Sequence, residues 1–185
     1  MRHLLWFALV AVAVSPLVPA QNKTESASSK SAAAQIDRGR ELFEKSPKGT
    51  PCATCHRIGG LGTAVGPDLK DFAGAIGPRA IAQSIQMSMT AYVQEVKTAS
   101  GTFPGFVQQK QGDETDVWDL SQMPPVLKKL PSKDILSMAN NQTWKHPPAT
   151  ADYTSQELAD IIAFLKNAAT GSRKVVNTSD VEDTQ

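Results

Sequence analysis

One pentapeptide holds both cysteines of the chain. Cys52, Cys55 and His56 stand in the order Cys-Ala-Thr-Cys-His. In a helical turn, positions i, i+3 and i+4 project to the same side. The two thiols can therefore add to the two vinyl groups of one porphyrin, while the imidazole ligates its iron. The C-x-x-C-H spacing is the attachment sequence of c-type haem, and it predicts one covalently attached haem c.

Three other interpretations compete for these residues. A zinc site needs four ligands and usually a second C-x-x-C pair, and the sequence has no third cysteine. A thioredoxin-like redox pair would follow a strand, whereas a helical pattern and a loop containing Pro47 and Gly49 precede Cys52. A structural disulfide between the two cysteines is the third interpretation.

Composition limits the function classes. The 185 residues suit one domain of ordinary size, and the 19 Lys and Arg nearly cancel the 18 Asp and Glu. This balance argues against a nucleic-acid binder. Two cysteines are also too few for a disulfide scaffold.

The N-terminus predicts a signal peptide over residues 1–20. Arg2 precedes an apolar run from Leu4 to Val14, and the small residue Ala20 stands at a plausible cleavage point. A membrane span needs about 20 apolar residues, so we expect no stable span in the mature chain. The predicted location is the periplasm.

The remaining pattern predicts one helical domain over residues 35–171, between a disordered linker at 21–34 and a flexible tail at 172–185. Apolar spacing predicts helices over 35–45 and from Pro78 to about Met87. A capping box beginning at Thr154 and a stop at Gly171 bound the last helix. Strand-forming residues and turn signals predict a small antiparallel β insertion at about 91–140, with three strands and one further short strand or turn.

Three groups of residues around the pentapeptide resemble those of a class I cytochrome c. They are Gly39 and Phe43 before the motif, Gly66-Pro67-Asp68-Leu69 after it, and the terminal helix Glu157–Lys166. The resemblance covers about residues 35–90 and 144–169. It implies a mainly α fold, with a cytochrome c-like helical domain around the covalent haem. The strand insertion is similar to that of a bacterial subtype of haem-binding domain.

The resemblance also implies roles for individual residues. The first and last helices would cross closely at Gly39, beside the aromatic rings of Phe43 and Phe164. The carbonyl of Pro67 would accept a hydrogen bond from Nδ1 of His56 and so orient the imidazole. Leu69 would line the haem pocket.

Two places offer a sixth ligand to the iron, each followed by two prolines. Class I cytochromes usually present this ligand shortly before the terminal helix. His146 lies 8 residues before Thr154, whereas Met123 lies 31 before it. Position therefore favours His146, with Met123 as the alternative. Two histidine ligands predict a lower reduction potential than histidine with methionine.

These features predict an exported carrier of single electrons that meets its redox protein partners transiently, and not an enzyme. One alternative is a haem-based sensor that binds a small ligand at an open sixth position. The other is a haem subunit that docks a periplasmic dehydrogenase through the inserted strands.

Overall fold

The computed structural model describes residues 27–87 and 92–182. The predicted signal peptide lies outside the described residues. None of the described helices is both long and apolar enough to cross a membrane. The α-helices are α1 (Ala27–Lys45), α2 (Leu69–Ala75), α3 (Pro78–Gln86), α4 (Pro147–Thr150) and α5 (Ser155–Thr170).

The crossing of α1 and α5 forms the centre of the helical core. A Cβ atom at Gly39 would overlap the backbone carbonyl of Asp160, so only glycine permits the close approach. Beside it, the Arg38 guanidinium donates to both carboxylate oxygens of Asp160, at 2.7 and 3.0 Å. The rings of Phe43 and Phe164 pack with centroids 5.3 Å apart. The crossing implied by the resemblance is confirmed.

Helix α5 begins and ends where the sequence predicts. The Thr154 hydroxyl accepts from the backbone N–H of Glu157, and the Glu157 carboxylate accepts from the backbone N–H of Thr154. Gly171 closes the helix with φ +74°, a left-handed conformation that glycine adopts without strain.

Two short strands follow the cysteine segment, β1 (Arg57–Ile58) and β2 (Leu61–Gly62). The remaining strands are β3 (Val93–Thr98), β4 (Gly101–Gln111), β5 (Glu114–Asp119), β6 (Val126–Pro131) and β7 (Ile135–Asn140). They form one antiparallel sheet in the order β6-β5-β4-β3-β7.

This sheet curls, so that the end of one edge strand approaches the start of the other. Strands β6 and β7 occupy opposite edges, yet only the 3₁₀ turn Ser132–Asp134 joins them. In a flat sheet the edges would lie about 19 Å apart, whereas four residue steps reach at most about 14 Å. Leu130 of β6 and Met138 of β7 pack against the same small cluster, which comprises Val96, Phe103 and Val117.

The mainly α prediction is wrong, because the structure is 42% helical and 26% strand. The three predicted strands of the insertion correspond to β3, β4 and β5. Where one further short strand or turn was predicted, the structure has β6, a 3₁₀ turn and β7. The added strands convert a small meander into a curled sheet with its own core.

The predicted linker and tail also differ from the structure. Helix α1 begins at Ala27, and its Gln35 side chain donates to the carbonyl of Val176 and accepts from that residue's N–H, at 2.7 and 2.9 Å. Val176 and Val181 are buried. Residues 27–34 thus belong to a helix, and the described part of the tail packs against that helix at Gln35, a contact between distant residues that local composition does not reveal.

Candidate functional site

The cysteine motif lies on a tight turn between α1 and β1. Cys52–Thr54 form a 3₁₀ helix, and the Cys52 carbonyl accepts from the backbone N–H of Cys55 at 3.1 Å and of His56 at 2.8 Å. These bonds fold the pentapeptide into one turn. Both cysteines are half-buried free thiols.

The thiols are not those of a reactive redox pair. Burial raises the pKa of Cys52 to about 11, and burial likewise raises the pKa of Cys55 to about 11. Redox-active cysteines have a depressed pKa that makes the thiolate available at neutral pH. Cys52 and Cys55 are protonated there, which argues against a thioredoxin-like site.

The His56 imidazole is oriented by the segment Gly66–Pro67. Its Nδ1 donates to the carbonyl of Pro67 at 2.8 Å, which leaves Nε2 with a free lone pair. A Cβ atom at Gly66 would lie 2.7 Å from Cε1 of His56, so the backbone packs flat against the ring. Burial lowers the pKa of His56 despite the opposing effect of the Pro67 bond. The ring is therefore neutral at pH 7 and able to ligate a metal.

His146 stands opposite His56. It is the N-cap of α4, whose first two residues are prolines. The two imidazole centroids lie 6.0 Å apart, with ring planes at 82°. Burial and then the nearby His56 lower the pKa of His146 to about 4, although its hydrogen bond to the Ile85 carbonyl acts to raise it. Both histidines are therefore neutral, and each makes one hydrogen bond to a backbone carbonyl.

This arrangement fits an iron porphyrin attached through two thioethers. A metal–imidazole bond is about 2.0 Å long, so an ion between two imidazoles separates their nitrogens by about 4 Å and their ring centres by about 6 Å. The distance between His56 and His146 agrees with that separation. The described part of the chain contains no group of three or more His, Cys, Asp or Glu side chains that could hold a metal ion, and so does not supply a zinc ligand set.

The other predicted residues occupy different positions around this pair. Leu69 is half-buried at the start of α2 and packs against the helical core. Met123 lies in the turn between β5 and β6, precedes a cis peptide bond to Pro124 and is 42% exposed. The core clusters of the described residues do not include Met123. The structure thus brings His146 to His56, whereas Met123 is an exposed residue of the turn between β5 and β6.

Sequence reasoning missed the contact between the sheet and the cysteine turn. A second core cluster joins Val65, Val93 and Leu120. Partly buried side chains pack against it, namely Cys55, Phe106, Trp118 and Trp144. Two of the three tryptophans of the chain pack against this cluster. Their presence in the sequence is the signal from which the contact could have been predicted. The hydrogen bond from His146 to Ile85 uses a backbone carbonyl, which no residue type could have indicated.

Comparison with known proteins agrees with this geometry. No curated protein matches the chain. Residues 36–122 match the family model described as Cytochrome c, a range that includes Cys52, Cys55, His56 and the Pro67 carbonyl. This part of the chain is therefore similar to cytochrome c, and the turn that presents two thiols and a neutral imidazole agrees with that similarity.

Proposed function

We propose that the chain is an exported monohaem c-type cytochrome that carries single electrons between redox proteins, and that His56 and His146 would hold the haem iron. The observation that carries the proposal is the pair of neutral imidazoles 6.0 Å apart beside two free thiols. The single C-x-x-C-H motif in the sequence supports one haem.

The bound iron porphyrin would supply the one-electron chemistry. The chain's own residues position it and control its surroundings. Cys52 and Cys55 would hold the group covalently, and the Pro67 carbonyl fixes the orientation of His56 and increases its basicity. On the opposite side, the Trp144 ring lies 6.3 Å from that of His146 and helps to shield it from water. Backbone hydrogen bonds hold both imidazoles in place, which would keep rearrangement between oxidation states small.

Location and partners belong to the proposal as well. The basic and apolar pattern of residues 1–20 supports export to the periplasm, and a cytochrome c domain is usually exported. The formal net charge of +1 gives little long-range steering, so partners would meet the protein through small, transient contacts. We assign the strands between residues 93 and 140 to an insertion of the bacterial haem-binding subtype.

Production in a cytochrome-maturing host tests the haem and its ligands. We expect a coloured protein that keeps its pigment in acidified organic solvent. The ferric form should be low-spin and should lack the weak near-infrared band of methionine ligation. His146→Ala should lose the low-spin spectrum, whereas the matched variant Met123→Ala should keep it. A colourless protein, or a low-spin spectrum that survives in His146→Ala and is lost in Met123→Ala, would contradict the proposal.

Carbon monoxide separates the carrier from the sensor. A carrier with His146 on the iron should respond slowly and weakly when carbon monoxide is added to the reduced protein. An immediate, large Soret shift would indicate an open sixth position and would favour the ligand-binding sensor.

A further inference from the structure

The connection between β5 and β6 exposes a continuous run of apolar residues. We call Met123-Pro124-Pro125-Val126-Leu127 the apolar turn. Met123, Val126 and Leu127 are 42%, 44% and 37% exposed, and Pro124 is exposed as well. They supply three of the eight large apolar side chains that are exposed in the described part of the chain. A run of exposed apolar residues is a liability unless it has a function, most often as a contact surface.

The apolar turn continues from the cluster that contacts the cysteine motif. Leu120, three residues before Met123, is buried in the cluster against which Cys55 packs. Trp118 packs against the same cluster and is the cross-strand partner of Leu127. Cross-strand partners have Cβ atoms about 5 Å apart on one face of the sheet. A protein that covers Leu127 is therefore one side chain away from the cluster beside the cofactor site.

The two lysines that directly follow the apolar turn are neutralised within the chain. Lys128 pairs with Asp119 at 2.7 Å, and Lys129 pairs with Glu114 at 3.3 Å. Residues 120–127 carry no charge. This surface therefore offers apolar contact, and its neighbouring lysines are already engaged by carboxylates of the same sheet.

The size and the composition of this surface indicate what covers it. A stable dimer buries about 800 Å² of each copy, far more than four partly exposed side chains provide. Segments that lie on a membrane surface combine apolar residues with free lysines or arginines, whereas Lys128 and Lys129 are paired. Contacts between electron-transfer proteins are small and short-lived, and a contact here would lie beside the cofactor site.

We propose that the apolar turn is the docking surface for a redox protein whose own contact surface is apolar and weakly charged, an inference that rests on the function proposed above. The inserted sheet then has a role in recognition, because it presents this turn next to the site that would hold the haem. Recognition through apolar contact depends little on salt, in contrast to recognition through unpaired lysines.

Electron self-exchange of the holoprotein tests the proposal, with a second copy as the probe because it presents the same apolar turn. One electron passes from the ferrous to the ferric copy on contact, and the rate is measured from the broadening of haem NMR signals in mixtures of the two. We expect a wild-type rate that changes little with ionic strength. Val126→Glu should lower the rate about tenfold, since like charges would face each other across the contact. Added salt should restore part of that loss.

Leu136→Glu is the matched control, because Leu136 is 60% exposed on β7, at the other edge of the sheet. It should leave the self-exchange rate near the wild-type value. Equal rates in two variants that keep the wild-type absorption spectrum would overturn the inference. So would a wild-type rate that depends steeply on salt, a measurement that needs no variant. A chain that binds no haem would instead overturn the proposed function.

Two further measurements distinguish other occupants of the apolar turn. Sedimentation of the wild-type holoprotein at increasing concentration should show a monomer. The protein should also stay in solution when vesicles of phosphatidylcholine and phosphatidylglycerol are pelleted. A dimer that Val126→Glu dissociates, or vesicle binding that Val126→Glu abolishes, would overturn the docking of a redox protein at this surface.

Discussion

At the scale of single residues, His56 is held by groups that cannot move independently of the backbone. Pro67 fixes Nδ1 through its carbonyl, and the backbone of Gly66 packs against the face of the ring. The imidazole therefore has one tautomer and one orientation before any metal binds. Such prior order reduces the conformational cost of ligation.

Gly66→Ala should displace the His56 ring. Its Cβ would lie 2.7 Å from Cε1, and overpacking of this kind costs about 1–3 kcal/mol. We expect a lower yield of attached haem and a lower midpoint of thermal unfolding, measured on the purified holoprotein. Gly77→Ala is the matched control, because a Cβ there meets no atom within 4 Å. Equal losses in the two variants would show that the ring contact is unimportant.

His146→Met should raise the reduction potential. A thioether stabilises ferrous iron relative to a second imidazole, and the two prolines after position 146 keep the loop in place. Spectroelectrochemical titration should show the increase, together with a new near-infrared band in the ferric protein. An unchanged potential would mean that residue 146 does not ligate the iron.

At the scale of elements, the hairpin of β5 and β6 depends on Asp119. Its buried carboxylate accepts from Lys128 at 2.7 Å and from the hydroxyl and N–H of Ser121 at 2.6 and 2.9 Å. Lys128 also lies 4.3 Å from the centroid of the Phe103 ring. These contacts connect an edge strand to the inside of the curled sheet.

Acid should weaken this hairpin. Burial acts to raise the pKa of Asp119, but the hydrogen bonds from Lys128 and Ser121 outweigh it, and the pKa lies below its ordinary value. The stabilisation is therefore present above about pH 4, the pKa of an unfolded Asp, and is lost as the pH falls through the lower folded value. We expect Asp119→Asn to cost about 2 kcal/mol at pH 7.

Denaturant unfolding of the wild-type protein and Asp119→Asn at several pH values measures this effect. The difference between the two free energies of unfolding should shrink towards acidic pH. A constant difference would show that Asp119 does not titrate differently in the folded and unfolded states.

At the scale of the whole molecule, hydrogen bonds between the Gln35 side chain and the Val176 backbone join the first helix to the C-terminal segment. Gln35→Ala removes two buried hydrogen bonds and leaves the backbone groups of Val176 unpaired, which should cost about 2 kcal/mol. Hydrogen exchange should show loss of protection at the Val176 amide, whereas the exposed Glu41→Ala on the same helix should show none. Equal protection of the Val176 amide in both variants would show that the Gln35 hydrogen bonds do not hold this segment in place.

The parts of the molecule that the sequence predicted are those specified by local rules. The cysteine motif, the caps at Thr154 and Gly171 and the turns between β3, β4 and β5 each depend on a few adjacent residues. The contact of Gln35 with Val176 and the packing of Leu120 on Val65 join residues far apart in sequence. The curl that brings β6 towards β7 depends on the order of all five strands in the sheet. The sequence of any one strand does not predict that order.

The curled sheet is attached to the helical body by neighbouring strands. Gln94 pairs with Asn140, and the Asn141 N–H donates to the Val93 carbonyl at 2.9 Å. The chain therefore enters and leaves the sheet on two paired strands, β3 and β7. A tight turn that joins these two strands directly could replace the residues between them without stretching the chain. Such a shortened molecule, compared with the full one, would isolate what the sheet adds to the shielding of the site from solvent.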